Sequence, residues 1–237
     1  MDIFAEEQIT ALGDLVTVWA HPDDETYLAA GVMGIAAANG ARVTCITATS
    51  GELGVPGCDR TWLAARRTAE LRAALSEIGV HDLVVLGEPD GACADIDPRR
   101  PTAEIGRIIR DRRPATVITF GADGLTGHPD HRAVSCWTSA ALSYFEGRAP
   151  RLLHTAVTHE FAAEHADIDE QFEIYAPGLP ALHERHELAI HLELVGPWLD
   201  AKLRALRAHE SQTSGLIAAI GEDRYRSWVA VESFLQR

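Results

Sequence analysis

The sequence predicts an α/β fold of three layers with a mostly parallel sheet, and three observations support this prediction. Short apolar runs alternate along the 237 residues with longer segments in which apolar residues recur at helical spacing. A polar cluster directly follows two of the apolar runs, at residues 20–25 and 127–131. No internal repeat or low-complexity linker interrupts the alternation, so we expect residues 1–237 to form a single domain.

Strands and helices alternate in the first half of the chain. Pro22 suits the first turn of a helix, where its missing N–H costs no intrahelical hydrogen bond. Asn39-Gly40 and Gly79 are helix-stop signals, and a predicted strand follows each of them. This order of elements is typical of parallel sheets whose strands are connected through helices. The predicted strands are residues 15–19, 42–47, 83–86 and 115–120, and the predicted helices are residues 22–39, 61–78 and 101–110.

Four further elements are predicted beyond the second polar cluster. They are a helix at 132–145, strands at 152–158 and 189–194, and a helix at 196–209. Two loops, residues 50–54 and 87–91, combine glycine with acidic residues at the presumed ligand edge of the sheet. Residues 50–54 are not a G-x-G-x-x-G fingerprint and lack the lysine of a phosphate-binding loop. The sequence therefore disfavours a nucleotide-binding protein of the Rossmann type.

The composition restricts the partners and the location of the protein. A formal net charge of −14 at pH 7 disfavours binding to nucleic acid and to anionic membranes, because both would repel the chain. Residues 1–7 lack the basic and apolar regions of a signal peptide, and the longest apolar stretch, residues 28–38, is shorter than the ~20 residues that span a bilayer. We therefore expect a cytoplasmic protein without a membrane partner, and homo-oligomer formation stays open. Four cysteines without C-x-x-C pairing fit reduced thiols rather than zinc ligands.

The two polar clusters supply the groups of a metal-dependent hydrolase. If their strands are neighbours in a parallel sheet, both clusters lie at the same edge and can share one metal ion. Hydrolytic zinc sites use three His or Asp/Glu ligands and keep one position open for water, and His21, Asp24 and His131 form such a set. The acids at residues 23–25 alone would also fit the N-terminal end of a helix dipole, but the second histidine cluster favours the metal site.

The remaining side chains of the clusters fit the other tasks of amide hydrolysis. A carboxylate that is not a ligand can remove a proton from water, and Asp23 is the candidate general base. Attack on an amide carbonyl develops an oxyanion, and His128 is available to stabilise it as a protonated imidazole. Asp130 is placed to orient or charge that imidazole.

The two clusters resemble the signatures of the PIG-L/LmbE-like zinc N-deacetylases. Ala-His-Pro-Asp-Asp-Glu at residues 20–25 and Gly-His-Pro-Asp-His at residues 127–131 carry this resemblance. It extends over most of the chain through shorter segments: residues 50–52, Arg67 with Glu70, and residues 89–91, 202–203, 209–212 and 232–234.

The resemblance implies a Rossmann-like sheet of the LmbE type and zinc on His21, Asp24 and His131. It also implies Asp23 as general base and His128 as acid or oxyanion partner. The implied reaction is hydrolysis of the amide of an N-acetylglucosaminide-type small molecule, with release of acetate and a free amine. Iron and cobalt suit the same mixed ligand set. Three further residues are implied to hold sugar hydroxyls: Glu52, Arg67 and Asp90.

Two departures from the family pattern concern the substrate. Thr126 stands where mycothiol deacetylases carry a tyrosine, and Leu28 stands where mycothiol conjugate amidases carry a lysine. Both differences weaken an assignment to the mycothiol pathway. Two alternative functions stay open: an amidase or deacylase for a thiol conjugate or antibiotic-type N-acyl compound, and a non-catalytic module that binds a sugar or a metal.

Overall fold

A seven-stranded sheet forms the centre of the computed structural model, which describes residues 3–145, 147 and 149–237. The spatial order of its strands is β3-β2-β1-β4-β5-β9-β8, and β6 and β7 form a separate parallel pair. The strands are β1 (Leu15–Trp19), β2 (Val43–Thr47), β3 (Asp82–Val85), β4 (Thr116–Thr119), β5 (Arg151–Thr155), β6 (Val157–Thr158), β7 (Leu182–His183), β8 (Ile190–Glu193) and β9 (Val231–Gln236). Strands β1 to β5 run parallel, whereas β9 runs antiparallel to both β5 and β8.

The described residues form ten α-helices. They are α1 (Ile3–Thr10), α2 (Asp24–Ala38), α3 (Arg60–Glu77), α4 (Arg99–Arg112), α5 (Pro129–Ser143), α6 (His159–Glu164), α7 (Ala166–Phe172), α8 (Gly196–Ala208), α9 (Glu210–Ile220) and α10 (Glu222–Trp228). Helices α2, α3 and α8 contact one another, whereas α4 contacts α5. The predicted α/β fold with a mostly parallel sheet is confirmed. Within the described ranges, no helix has both the length and the apolar composition that crossing a membrane requires.

The chain reverses its direction across the sheet at β1 and β4, which are hydrogen-bonded neighbours. From β1 the chain passes through α2 to β2 on one side, and from β4 it passes through α5 to β5 on the other side. The loops that follow β1 and β4 diverge at such a point and leave a crevice at the carboxyl ends of the strands. Residues 20–25 and 127–131 follow these two strands, so both polar clusters lie at the crevice, as predicted.

Two helices at the crevice have boundaries that differ from the prediction. Helix α2 begins at Asp24 rather than Pro22, because Asp23 has a φ of 125° and lies outside the helical region. Helix α5 begins at Pro129, three residues before the predicted start, because the His128 side chain caps its first turn. Both polar clusters therefore form the beginnings of helices.

The other differences lie mainly in the C-terminal half. The predicted strand at 152–158 is divided at Ala156, whose N–H donates to the carbonyl of Ser233 in β9. The residues after Ala156 pair with β7 instead. Helices α1, α6, α7, α9 and α10 and strand β9 were not predicted, because short elements with mixed polarity carry little periodic signal.

A buried ion pair fixes α2 from behind the crevice. Lys202 of α8 and Glu232 of β9 lie 2.7 Å apart, and both side chains are fully buried. Lys202 Nζ also donates to the carbonyl of Tyr27, and Glu232 accepts the N–H groups of Gly31 and Val32. Burial of such a pair requires that its remaining donors and acceptors are bonded, and the backbone of α2 supplies these partners.

Candidate active site

The loops after β1 and β4 bring residues of both polar clusters into contact. His21 lies two residues after β1, Asp24 is the first residue of α2, and His131 lies in the first turn of α5. Asp24 and His131 are buried, and His21 is mostly buried. The topology therefore places three predicted metal ligands from distant parts of the chain at one point of the crevice.

The side-chain atoms of these three residues have the spacing of metal ligands. His21 Nδ1 lies 3.3 Å from His131 Nε2 and 3.6 Å from the nearer oxygen of Asp24. His131 Nε2 lies 3.4 Å from the other Asp24 oxygen. Ligands ~2.1 Å from a tetrahedral ion lie about 3.4 Å from one another. The three side chains could therefore hold one divalent ion, with a different Asp24 oxygen facing each imidazole.

His128 lies beside these ligands but differs from them in exposure. One ring nitrogen of His128 lies within 4.8 Å of one nitrogen each of His21 and His131. The side chain is exposed, and its Nδ1 accepts the N–H of Asp130 as the cap of α5. Because Nδ1 is an acceptor, the neutral ring carries its proton on Nε2. His128 is therefore better suited to donate a proton than to bind the ion.

Two carboxylates hold the opposite nitrogen of His21. Asp90 Oδ1 and Asp130 Oδ2 each lie 3.2 Å from His21 Nε2. The carboxylate of Asp130 also accepts the N–H groups of Gly91 and Cys93, at 2.8 and 3.0 Å. These carboxylates keep the proton on Nε2 and leave the lone pair of Nδ1 free for the ion, as the outer partners of metal-bound imidazoles do.

This arrangement differs from the roles expected for Asp130 and Asp90. Asp130 was expected to orient His128, yet its carboxylate contacts His21, and only its backbone N–H contacts His128. Asp90 was expected to hold sugar hydroxyls, yet its carboxylate contacts His21 and accepts the N–H of Leu53. The loop after β3 reaches across the crevice to His21, which the linear sequence does not reveal.

His131 is oriented in a similar way by backbone and hydroxyl groups. Its Nδ1 lies 3.0 Å from the carbonyl oxygen of Gly124 and 3.2 Å from Thr126 Oγ1. A proton on Nδ1 can be donated to the carbonyl, so Nε2 keeps its lone pair for the ion. Thr126, which stands at the position of the family tyrosine, thus contacts a predicted ligand.

Asp23 has a strained backbone that neighbouring groups hold in place. Its φ of 125° and ψ of −29° are rarely adopted by residues other than glycine, and such conformations cost about 1–3 kcal/mol. The N–H of Asp23 donates to Glu25 Oε2 at 3.0 Å, and its Oδ2 accepts a bond from Arg67 at 3.2 Å. Strain that the surroundings maintain is common at functional sites.

Arg67 and Glu52 make their contacts within the protein. The buried guanidinium of Arg67 donates to the carbonyls of Gly51 and Pro22 as well as to Asp23. Glu52 is half-buried, and its Oε1 accepts the N–H of Asp90 at 3.0 Å. The family resemblance implied that Arg67 holds sugar hydroxyls, whereas its buried guanidinium bonds the loops of the crevice and Asp23.

Glu25 and His209 form a buried pair that sequence reasoning did not assign to the site. His209 Nε2 lies 2.9 Å from Glu25 Oε1, and both side chains are fully buried. Burial acts to lower the pKa of His209, but the charge and hydrogen bond of Glu25 outweigh burial and raise it. The signals for this pair were present, since Glu25 ends the first cluster and His209 begins the segment at 209–212. Nothing in the sequence indicated that the two residues meet.

The electrostatic surroundings give the adjacent carboxyls of Asp23 and Asp24 different pKa values. Burial raises the pKa of Asp23 to about 6, although the charge of Arg67 opposes this shift. Burial also acts to raise the pKa of Asp24, but the charge of His131 and the hydrogen bonds and charge of His21 outweigh it and hold that pKa below its usual value. Asp24 is therefore a carboxylate at neutral pH, and Asp23 titrates close to neutrality.

The pKa values of the three imidazoles at the site are shifted in opposite directions. Burial lowers the pKa of His128 and of His131, and the nearby charge of His21 lowers both further. Burial also acts against the charged form of His21, but its hydrogen bonds to Asp130, Asp24 and Asp90 raise its pKa well above the usual value. The carboxylates around His21 thus favour positive charge at this point. A divalent ion can supply that charge in place of the proton on His21.

Solved structures share the fold. The N,N'-diacetylchitobiose deacetylase from Pyrococcus horikoshii aligns with 100% of this chain and 94% of its own, with a TM-score of 0.63 and 19% identity. The 4-carboxy-2-hydroxymuconate hydratase from Pseudomonas putida aligns with 95% of each chain, with a TM-score of 0.62 and 15% identity. At these identities the likeness shows the fold alone, and the two neighbours have different activities.

Sequence comparison is more specific than the fold. The 1D-myo-inositol 2-acetamido-2-deoxy-alpha-D-glucopyranoside deacetylase from Actinosynnema mirum is 35% identical over 237 aligned positions, which cover 87% of this chain and 83% of the relative. The sequence model of the PIG-L family, described as GlcNAc-PI de-N-acetylase, matches residues 16–142, a range that includes both polar clusters. The chain therefore belongs to the PIG-L family.

Proposed function

We propose that this protein hydrolyses the amide of an N-acetylated amino sugar of the N-acetylglucosaminide type and releases acetate and a free amine. The observation that carries the proposal is the spacing of His21, Asp24 and His131, together with the mostly buried carboxyl of the adjacent residue Asp23. Metal-assisted amide hydrolysis requires such a ligand set with a separate base close by. The relative from A. mirum, named as a deacetylase of a 2-acetamido sugar, supports the substrate class.

His21, Asp24 and His131 would hold the ion, and we propose that the metal is zinc. When bound, zinc supplies Lewis acidity and lowers the pKa of its water toward ~7. Iron and cobalt suit the same nitrogen and oxygen donors, so elemental analysis of protein purified without chelators distinguishes them.

In this proposal, Asp23 accepts the proton of the attacking water. A general base works best when its pKa lies near the working pH, and the pKa of Asp23 is raised to about 6 by burial. Arg67 favours the carboxylate form from 3.2 Å away. The bond from the Asp23 N–H to Glu25 holds the strained backbone that positions this carboxylate.

His128 completes the proton transfer. In the neutral ring, whose Nδ1 accepts the N–H of Asp130, Nε2–H donates a hydrogen bond to the developing oxyanion. Transfer of a proton to the leaving amine requires the ring to be protonated first, which gives up the bond from Asp130 and leaves a neutral imidazole after the transfer. Its exposed position at the start of α5 lets the ring exchange protons with solvent between turnovers.

We propose unequal roles for the three residues expected to bind the sugar. Arg67 acts through Asp23, and Asp90 acts through His21, because these contacts use their charged groups. Glu52 uses one oxygen for the N–H of Asp90, and a carboxylate has further acceptor positions for a sugar hydroxyl.

Release of free amine from a substrate panel tests the proposed function. The panel contains N-acetylglucosaminides, amides of thiol conjugates and antibiotic-type N-acyl compounds, each incubated with the zinc-loaded enzyme. We expect turnover of the N-acetylglucosaminides and its loss in the Asp23→Asn variant. Turnover of conjugate amides alone would move the assignment to the alternative amidase. Ligand binding without release of amine from any compound would favour the non-catalytic module.

A further inference from the structure

An apolar cavity of about 360 Å³ opens beside two of the predicted metal ligands. Asp24 and His131 line one end, and the cavity continues between α2, α6, α9, α10 and β6. Its volume lies within the range of about 300–1,000 Å³ that is typical of small-molecule sites. The proposed chemistry uses only its mouth.

Aromatic and aliphatic side chains form most of the wall. Leu28 comes from α2, Phe161 from α6, Leu216 from α9 and Trp228 from α10. The carboxylate of Glu232 also borders the cavity, but its charge is matched by Lys202. Apolar walls favour an apolar occupant, because transfer of its surface out of water is favourable.

The polar groups of the crevice lie elsewhere. Among the described residues that line the cavity, Asp23, Glu52, Asp90 and His128 are absent. An amide whose carbonyl lies at the ligands therefore has two different surroundings, one apolar and one rich in acceptors and donors. The hydroxyls of a sugar need the polar side, which leaves the apolar side for the other substituent of the amide.

We infer that this cavity binds the acyl group of the substrate, and that the enzyme prefers acyl chains longer than acetyl. The inference rests on the proposed amide hydrolysis. One water occupies ~30 Å³ in the liquid, so a cavity of this size holds on the order of ten groups of that size, whereas an acetyl methyl fills only a small part. Beside the N-acetyl compounds of the proposed function, the inferred substrates are N-acyl amino sugars with a linear acyl chain of about six to ten carbons, which should be cleaved faster.

A series of N-acyl glucosamines that differ only in the acyl chain tests the inference. The zinc-loaded enzyme is assayed for free amine with the acetyl, butanoyl, hexanoyl, octanoyl and dodecanoyl compounds. Burial of each methylene raises kcat/KM by about fourfold, so we expect a gain on the order of 10²-fold from acetyl to hexanoyl and a decline once the cavity is full. A parallel series of N-acetylglucosaminides with methyl, hexyl and octyl aglycones should show no comparable gain.

Variants of α9 locate the effect within the cavity. Leu216→Trp should reduce the ratio of octanoyl to acetyl activity at least tenfold, and Leu216→Ala should move the optimum to longer chains. Ala218→Trp, on the exposed side of the same helix, is the matched control and should leave the ratio unchanged. Titration calorimetry with octanoate and acetate supplies a measurement without turnover. Octanoate should bind more tightly, and Leu216→Trp should weaken its binding.

The outcomes separate this inference from the proposed function. Cleavage of the acetyl compound without a gain along the acyl series, or a gain along the aglycone series alone, would overturn the acyl assignment while amide hydrolysis stands. If no amide is cleaved, the proposed function fails, and equal binding of octanoate and acetate would then also overturn the cavity assignment.

Discussion

At the scale of single residues, Asp23 and Asp24 show how neighbours of the same type acquire different properties. Asp24 faces two imidazoles, whose charges favour its carboxylate form. Asp23 is turned away by its positive φ, lies against Arg67, and retains its proton to higher pH because it is buried. The first is suited to bind a cation, and the second is suited to exchange a proton.

We predict that substitutions of the two aspartates have different consequences. Asp24→Ala removes a ligand, so metal content and activity should fall together. Asp23→Asn keeps the size and most hydrogen bonds but cannot accept a proton, so metal content should persist while kcat falls by about 10²–10⁴-fold. Metal analysis and steady-state kinetics of both variants check this prediction.

The alternative is a purely structural role, in which Asp23 is only an acidic residue at the start of a helix. In that case its replacement would cost roughly 0.3–1 kcal/mol of stability and leave the rate nearly intact. A metal-replete Asp23→Asn enzyme that keeps more than about a tenth of wild-type turnover would exclude Asp23 as the base, since a base contributes at least ~10²-fold.

A second prediction concerns pH. The base must be a carboxylate to work, so kcat/KM should fall as the pH drops through the pKa of Asp23, which burial raises to about 6. A bound cation favours the charged form and moves this limb to lower pH, so we expect the midpoint at or below pH 6. A pH–rate profile of the zinc-loaded enzyme measures it. If the residual activity of Asp23→Asn shows the acidic limb of the profile at the same pH, the limb belongs to another group.

At the scale of elements, helix α2 is buried, and neighbouring side chains pack closely against its backbone. Its backbone at Gly31 accommodates strand β9 and the residue after β8. A Cβ at Gly31 would lie 2.7 Å from Leu194 and 3.1 Å from Glu232, whereas the nearest atom to a Cβ at Gly34 would be 3.4 Å away, in Ile78. The two glycines of this helix therefore differ in what they permit.

We predict that alanine has opposite effects at these two positions. Gly31→Ala overpacks the interior and should lower the free energy of unfolding by about 1–3 kcal/mol. Gly34→Ala meets only ordinary contacts and should be neutral or stabilising by up to ~1 kcal/mol, because alanine favours a helix. Urea denaturation of both variants provides the comparison, and a free energy of unfolding that is not lowered in Gly31→Ala would show that the contact at Gly31 relaxes.

The Lys202–Glu232 pair gives a prediction for the packing of α8 and β9 on α2. Lys202→Met leaves a buried carboxylate without its cation, so the free energy of unfolding should fall by ~3–5 kcal/mol. Arg204→Ala is the control on the same helix, because its exposed pair with Glu77 should contribute only ~0–1 kcal/mol. Chemical denaturation measures both, and a loss below ~1 kcal/mol for Lys202→Met would contradict the prediction.

At the scale of the whole molecule, the proposed metal joins the two halves of the sheet. Its ligands follow β1 and β4, which lie on the two sides of the point where the strand order reverses. An ion that binds only the folded chain stabilises it by about 2.7 kcal/mol at a hundred times its Kd.

We therefore predict that zinc raises the melting temperature of chelator-treated protein by about 5–10 °C at that saturation, given about 2–4 °C per kcal/mol for a chain of this size. The His131→Ala variant should lose most of this shift. His128→Ala should keep it if His128 acts as a proton donor and not as a ligand. Differential scanning calorimetry distinguishes these cases, and an unchanged shift in His131→Ala would reject the proposed ligand set.

The sequence predicted much of the fold because its signals are local. Four of the first five strands were predicted to within one or two residues from apolar runs, and the remaining one, β5, overlaps a predicted strand that the structure divides. The polar clusters were recognised because residues adjacent in sequence must lie near each other. The positive φ of Asp23 had no such signal, since the chain there is also held by Arg67, which is distant in sequence and bonds the carboxylate of Asp23 and the carbonyl of Pro22.

The sequence by itself determined the fold class, the family resemblance and the residue types at the crevice. Only the tertiary structure decided that Asp90 and Asp130 hold His21, that Glu25 meets His209, and that an apolar cavity adjoins the predicted ligands. The physical reason is that these contacts join residues far apart in the chain. Local periodicity reports how a segment turns, but the partners of its side chains depend on how all segments pack together.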